Sequence, residues 1–183
     1  MHFANSLLKA VVSAVAVWIV FAVGALPALA QATKPTGEYS VKFLCGTAGG
    51  RIRSVVPGKY ATSINIHNPH FQGSGGIKFD KKFVRALPEE GPEPGASYRP
   101  SDLSPHGLEP DYAMEVDCFE IRMKLGLPPN GTNFIEGWVV IYTYADPAGR
   151  PEQLDVTAAY TVASLSGSSV SLEVASIAQR SVN

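Results

Sequence analysis

The sequence predicts an all-β protein, mainly an antiparallel β-sandwich, with one short helix after Cys118. Three observations lead there. Apolar and polar residues alternate with period two in one segment after another, the pattern of strands that bury one face. Clusters of Gly, Pro, Asn and Asp punctuate those segments at short intervals. Of the 183 residues, those that follow the first thirty are enough for one domain with its own core. A small β-barrel is the alternative closure of the same strands.

The first thirty residues read as an export signal. Lys9 gives a positive start, Ala10 to Leu26 is a nearly continuous apolar run, and Ala28 and Ala30 form the small-x-small cleavage pattern. Pro27 keeps a helix from running into that site. The alternative is an uncleaved N-terminal helix that anchors the chain, since the run lies at the low edge of spanning length. No later segment is apolar over a spanning length. The chain is thus expected outside the cytoplasm, periplasmic or extracellular. Residues 31–37 read as a flexible leader, and 38–180 as a single sandwich domain.

The strands follow in order. Tyr39, Val41, Phe43 and Cys45 alternate with Ser40, Lys42 and Leu44, which places Cys45 on the core face. A Gly-rich loop runs from Gly46 to Arg53, and Pro57-Gly58 turns the chain. Tyr60, Thr62, Ile64 and Ile66 form the second inward row, which Asn68-Pro69 ends. Ile77 to Leu87 is a third strand, with Ile77, Phe79 and Phe83 apolar and lysines between. Residues 88–110 form a long Pro/Gly-rich connection, with room for a short strand at 96–98; connections of that length are usually functional or mobile. Tyr112 to Val116 leads into Asp117-Cys118. There Asp117 is a helix cap and Glu120 completes a capping box, with the helix ending near Gly126 and Pro128. Phe134 to Ala145 reads as a strand buried on both faces. Asp146-Pro147-Ala148-Gly149 turns it back, Leu154 to Ala163 pairs with it, and Val170 to Ile177 is last. The turn spacing favours two packed sheets of the immunoglobulin-like kind. Asn130-Gly131-Thr132 reads as a turn rather than a glycosylation site, and Trp138 as a core residue.

Cys45 and Cys118 are the only cysteines. In an exported chain they have one pairing available, and a disulfide closing so long a loop stabilises by about 4 kcal/mol. Two buried free thiols or a redox pair are the competing readings; without a C-x-x-C the redox reading is weak.

Charge excludes some classes. The chain carries 15 Lys and Arg against 16 Asp and Glu, a formal net charge of −1. Its basic residues are scattered, so neither a nucleic-acid footprint nor an anionic-membrane patch is present. Among chemistry-bearing residues, His67 and His70 form an H-x-x-H pair around Asn68-Pro69. His106 stands with Glu109 and Asp111 in the long connection. Imidazoles are the natural donors of a zinc or copper site if three converge, though Pro69 lets the first two diverge. No G-x-S-x-G elbow accompanies the serines. Glu89, Glu90 and Glu93 lie in a solvated loop, which speaks against paired catalytic carboxylates.

Five segments also carry a resemblance. Tyr39 to Gly46, Tyr60 to Pro69, Glu115 to Cys118, Phe134 to Ile141 and Leu154 to Thr161 match in order a family of exported, uncharacterised prokaryotic β-rich proteins. The Ile64-Asn65-Ile66-His67-Asn68-Pro69 segment and the Asp117-Cys118 pair are the most specific. The resemblance implies a single domain with a Cys45–Cys118 pair, and that family has no assigned activity. The reading is therefore a non-enzymatic binding or interaction module of the cell envelope, needing no cofactor. Its partner would be another envelope protein or a surface ligand. A periplasmic metal-binding protein or metal-dependent enzyme using His67, His70 and His106 is the alternative.

Overall fold

The computed structural model describes residues 34–50, 55–71, 75–86, 100–167 and 169–182. The export segment 1–30, the start of the 31–37 leader, the strand expected at 96–98 and Glu89, Glu90 and Glu93 lie outside them. Among the described residues the elements run β1 (Gly37–Ala48), β2 (Gly58–His67), β3 (Ile77–Arg85), β4 (Ser104–Leu108), β5 (Ala113–Asp117), α1 (Cys118–Lys124), β6 (Ile135–Thr143), β7 (Asp155–Ala163), β8 (Val170–Ser176) and β9 (Arg180–Ser181).

The fold is all-β, antiparallel and sandwich-like, with the one short helix after Cys118. The strands join in the order β4-β3-β6-β1-β2-β7-β8, with β5 added to β2 and β9 to β1. The end strands β4 and β8 do not pair, so the sheet is not closed into a barrel. It forms two layers instead, β4-β3-β6-β1 and β5-β2-β7-β8, and β1 belongs to both. Its residues from Gly37 to Cys45 pair with β6, and Gly46, Thr47 and Ala48 pair with Tyr60, Lys59 and Gly58 of β2.

The core lies between the inward rows of these layers. Tyr39, Val41, Phe43 and Cys45 of β1 pack with Phe79 and Phe83 of β3 and Val139 and Ile141 of β6. Ile64 and Ile66 of β2, Val116 of β5 and Val156 and Ala158 of β7 face them. Burial of each large apolar side chain contributes about 2 kcal/mol. The period-two rows named from the sequence are these rows.

Where β1 leaves β2 the sheet forks. Gly46 stands at that point with φ of 100°, in the left-handed region, and a Cβ there would lie 2.4 Å from the Asn133 carbonyl oxygen. Only glycine meets both conditions. Beyond the fork, the edge of β1 has lost its neighbouring strand. The Thr62 hydroxyl fills in: it accepts from Leu44 N–H at 2.9 Å and donates to Leu44 C=O at 3.0 Å. Cys118 enters the same place from β5. It forms the disulfide with Cys45, and its Sγ accepts from Thr62 N–H at 3.3 Å. A third link joins the layers, with the Tyr39 hydroxyl donating to Leu154 C=O and accepting from Leu154 N–H, both at 2.8 Å.

Several elements differ from expectation. The leader is tied down from Thr36, whose N–H bonds Thr143 C=O. The first strand runs on through Gly46 to Ala48 rather than ending at Cys45, because β2 takes up its last residues. The long connection does carry a strand, but at Ser104–Leu108. Pro105 and Gly107 concealed it, and an edge strand tolerates both. The Asp146 turn is present, with its Oδ1 accepting from Ala148 and Arg150 N–H. Yet β7 does not pair with β6, because β1 and β3 occupy both edges of β6; it crosses to β2 instead. Trp138 is 43% exposed. Val139 and Ile141 hold the inward phase of β6, so the odd–even alternation turns Trp138 out.

The fork can be tested by unfolding. Thr62→Val keeps the shape but orphans two backbone groups of Leu44, and is expected to cost about 2 kcal/mol in denaturant unfolding. Replacing both cysteines by Ala is expected to cost up to about 4 kcal/mol. Because Thr62 holds Leu44 through its hydroxyl and Cys118 Sγ through its N–H, the combined variant is expected to depart from additivity by at least about 0.5 kcal/mol. Strict additivity would show that the two do not act as one fastener.

Candidate functional site

The three histidines stand in three different settings. β2 ends at His67, and Asn68 makes the stop. Asn68 is buried; its Nδ2 donates to Leu108 C=O at 2.8 Å and its Oδ1 accepts from His70 N–H at 3.0 Å. Its own N–H and C=O bond Tyr112 C=O and Asp111 N–H. This turn, read from Asn68-Pro69, brings the 108–112 segment against the end of β2. Asp111 takes a left-handed backbone there, with φ of 64°.

His67 lies between two carboxylates. Its Nδ1 is 3.4 Å from Asp155 and its Nε2 is 3.4 Å from Asp111. Asp155 is the register partner of His67 across the β2–β7 pair. The two ring nitrogens point in opposite directions, so this arrangement bridges two chain segments rather than ligating one ion. His70 turns Nε2 to Glu152 at 3.6 Å. His106 is stacked on Phe79, its register partner, with ring centroids 5.5 Å apart. Among the described residues, no group of three or more His, Cys, Asp or Glu side chains is placed to hold a metal ion.

Sequence reasoning misses Lys81, the most deeply buried charge among the described residues. It is fully buried on the inner face of β3, with its Nζ donating to Glu120 of α1 at 3.0 Å. The signal was present: position 81 is in phase with Ile77, Phe79 and Phe83, whereas Lys78 and Lys82 are out of phase. Burial pushes the Lys81 amine down, against the pull of Glu120. Glu120 therefore does not complete the capping box. Asp117 caps α1 alone, its Oδ1 accepting from Glu120 N–H at 2.9 Å. Burial and then the Lys81 charge hold the His106 imidazole below its ordinary range. Its Nε2 is buried and has no hydrogen-bond partner among the described residues.

The fork also opens a cleft. As β1 diverges from β2 and β7, it leaves a space of about 280 Å³, walled by Leu44, Tyr60, Tyr160 and Val162. Lys42, Ser171 and Glu173 supply its polar rim. The Tyr160 hydroxyl donates to Lys42 C=O at 3.0 Å, which fixes its ring across the gap. Burial first, then Glu173, pushes that phenol up, so it stays protonated and a donor. Tyr60 is held by its hydroxyl on Val56 C=O at 2.6 Å and by edge contact with Phe134. Two aromatic walls with Ser171 and Glu173 at the rim suit an amphipathic ligand or an extended chain segment, while the Lys42 amine is paired with Glu136 at 3.1 Å.

Fold and site together define a disulfide-bonded, antiparallel all-β domain with an aromatic cleft at the split between its layers. No family model and no curated protein matches the chain. The crystal structure of Thermotoga maritima 1070 aligns with a TM-score of 0.42 and 11% identity, covering 79% of this chain and 95% of that one.

Two outcomes follow. Zinc added to the purified chain is expected to leave the thermal midpoint unchanged within about 1 °C, because a site binding the native state would raise it by mass action. A dose-dependent rise lost on replacing His70 and His106 would contradict this. The second concerns pH. A half-buried imidazole whose pKa is lowered in the folded chain binds fewer protons there than in the unfolded chain. Its contribution to stability is therefore lost as pH falls through the ordinary value of 6.5. His106→Phe, which keeps the stack on Phe79, is expected to show a smaller fall in thermal midpoint between pH 7 and pH 5 than the wild type. Equal falls would clear His106 of that role.

Proposed function

We propose that the chain is an exported binding module of the cell envelope, non-enzymatic, which takes a partner's segment or a surface ligand into the cleft at the fork. The carrying observation is the cleft itself, with Tyr60 and Tyr160 fixed as its walls and Lys42 and Glu173 at its rim. Aromatic walls of this kind supply much contact area for little lost side-chain freedom. Placement outside the cytoplasm is supported by the Cys45–Cys118 disulfide, since such bonds persist in oxidising compartments. It is also supported by the export pattern of residues 1–30. Among the described residues no helix is long and apolar enough to cross a membrane.

The test is capture from the envelope fraction with the full chain as bait, set against a Tyr60→Ala chain with a wild-type thermal midpoint. A specific partner is expected to be recovered at least about tenfold less well by the variant, the loss of one aromatic anchor. Equal recovery by both chains would place the contact elsewhere and sink the cleft as the binding site.

A further inference from the structure

β8 is the terminal strand of the second layer, and it overhangs the core. Its inner-face residues Ser171 and Glu173 line the cleft. Its outer-face residues Val170, Leu172 and Val174, in register with Ala163, Thr161 and Ala159 of β7, are 68, 66 and 65% exposed. The hydrogen-bond phase of the strand follows from its flanks. Ser164 N–H donates to Ser169 C=O, and Ile177 N–H donates to Val156 C=O. Odd-numbered residues of this segment thus turn their backbone groups to β7. The N–H and C=O of Val170, Leu172 and Val174 therefore face the outer edge. Among the described residues, nothing pairs with that edge.

Open edges are ordinarily guarded by proline, lysine, a bulge or short length. β4, at the opposite end of the sheet, is five residues long and contains Pro105. β8 has seven residues, no proline and no basic side chain. Its one charge, Glu173, lies on the inner face at the cleft, so an edge free of proline and lysine is combined with an apolar outer face.

We propose that this edge is a self-association surface, to which a second copy of the chain adds its own β8 antiparallel, about a two-fold axis at Leu172. The strand is self-complementary in that register. Each Val170 faces a Val174, each Ser171 faces a Glu173, and the two Leu172 face one another. Leu172 presents its N–H and C=O to the edge, so the central pair exchanges both backbone hydrogen bonds. The two glutamates each lie opposite a serine, so no like charges meet directly. On the outer face the valines and leucines of both copies form one continuous apolar stripe. An unrelated strand would not require this palindromic pattern, which is what selects a second copy as the occupant. Such closure about a two-fold axis uses the same patch twice and ends at the dimer. Contact along one strand edge falls at the small end of specific interfaces, so the dissociation constant is expected on the order of 10 µM.

Sedimentation of the full chain across about 1 µM to 1 mM tests this, with no ligand present. A monomer–dimer equilibrium is expected. Val170→Lys with Val174→Lys sets lysine against lysine at both flanking pairs, and is expected to raise the dissociation constant at least about tenfold. Val170→Lys with Val174→Glu sets lysine against glutamate in this register alone, and is expected to restore dimerisation relative to the double lysine chain. Both variants change exposed side chains and should keep the wild-type thermal midpoint. A monomer at all concentrations would overturn the proposal, and so would equal weakening by the two variants. Tyr60→Ala is expected to leave self-association unchanged, so failure here and failure of the cleft reading are separate results.

Discussion

Everything in this fold depends on how β1 leaves β2. A strand that departs from its neighbour exposes backbone N–H and C=O groups inside the protein, and each unpaired group there costs about 1–3 kcal/mol. The chain answers with side-chain hydroxyls. Thr62 both donates to and accepts from Leu44, Tyr160 donates to Lys42, and Tyr39 does for Leu154 what Thr62 does for Leu44. Each hydroxyl stands in for a residue of a missing strand. The Cys45–Cys118 bond then ties the departing strand to the arriving one, so the split cannot widen. The same divergence makes the cleft, with Tyr160 serving both as staple and as wall. Stability and binding surface thus come from one event in the backbone.

The buried Lys81–Glu120 pair is a second organising feature of another kind. Taking an ammonium out of water costs several kcal/mol, and one carboxylate at 3.0 Å offsets that only in part. A methionine at position 81 would pack with less penalty. What the pair adds is direction. Glu120 is the third residue of α1, so its bond to β3 fixes where this short helix docks across the sandwich. Seven residues are too few to hold a helix by their own propensity. Asp117 at the start, the Gly126 turn at the end and the Lys81 anchor supply what length does not. Through the disulfide, α1 in turn positions Cys118 at the fork.

The inward rows of β1 and β2 are legible because period-two alternation there is nearly free of exceptions. So is the cap at Asp117, where a local rule governs. The failures share a cause: they were decided by neighbours distant in sequence. Lys81 escapes a sequence reading because lysine is ordinarily solvent-facing, although its phase is inward; Glu120 lies 39 residues away. β4 was hidden by Pro105 and Gly107, which an edge position tolerates and an interior one does not. The Asp146 turn was recognised, but not that β6 had no free edge for β7. Of the candidate site, the Asn68-Pro69 turn could be read as structural. The cleft could not be read at all, since Lys42, Tyr60, Tyr160 and Glu173 meet only through the fork.

Among the described residues β8, like the two-residue β9, gives no side chain to the buried core. In a closed sandwich every strand has a buried face, and the demands of packing hold its sequence to one pattern. Here β1 turns away before it can cover β8, so neither face of that strand is needed inside. Its two faces have accordingly diverged. The inner one is polar, Ser171 and Glu173, and borders the cleft. The outer one is apolar, Val170, Leu172 and Val174, though exposure gives it no reason within the monomer to be so. Alternation without burial is what a strand keeps when its partner lies outside its own fold. An added strand at this edge would also stiffen the wall that carries Glu173, so the cleft and the edge are mechanically joined even though their chemistries differ.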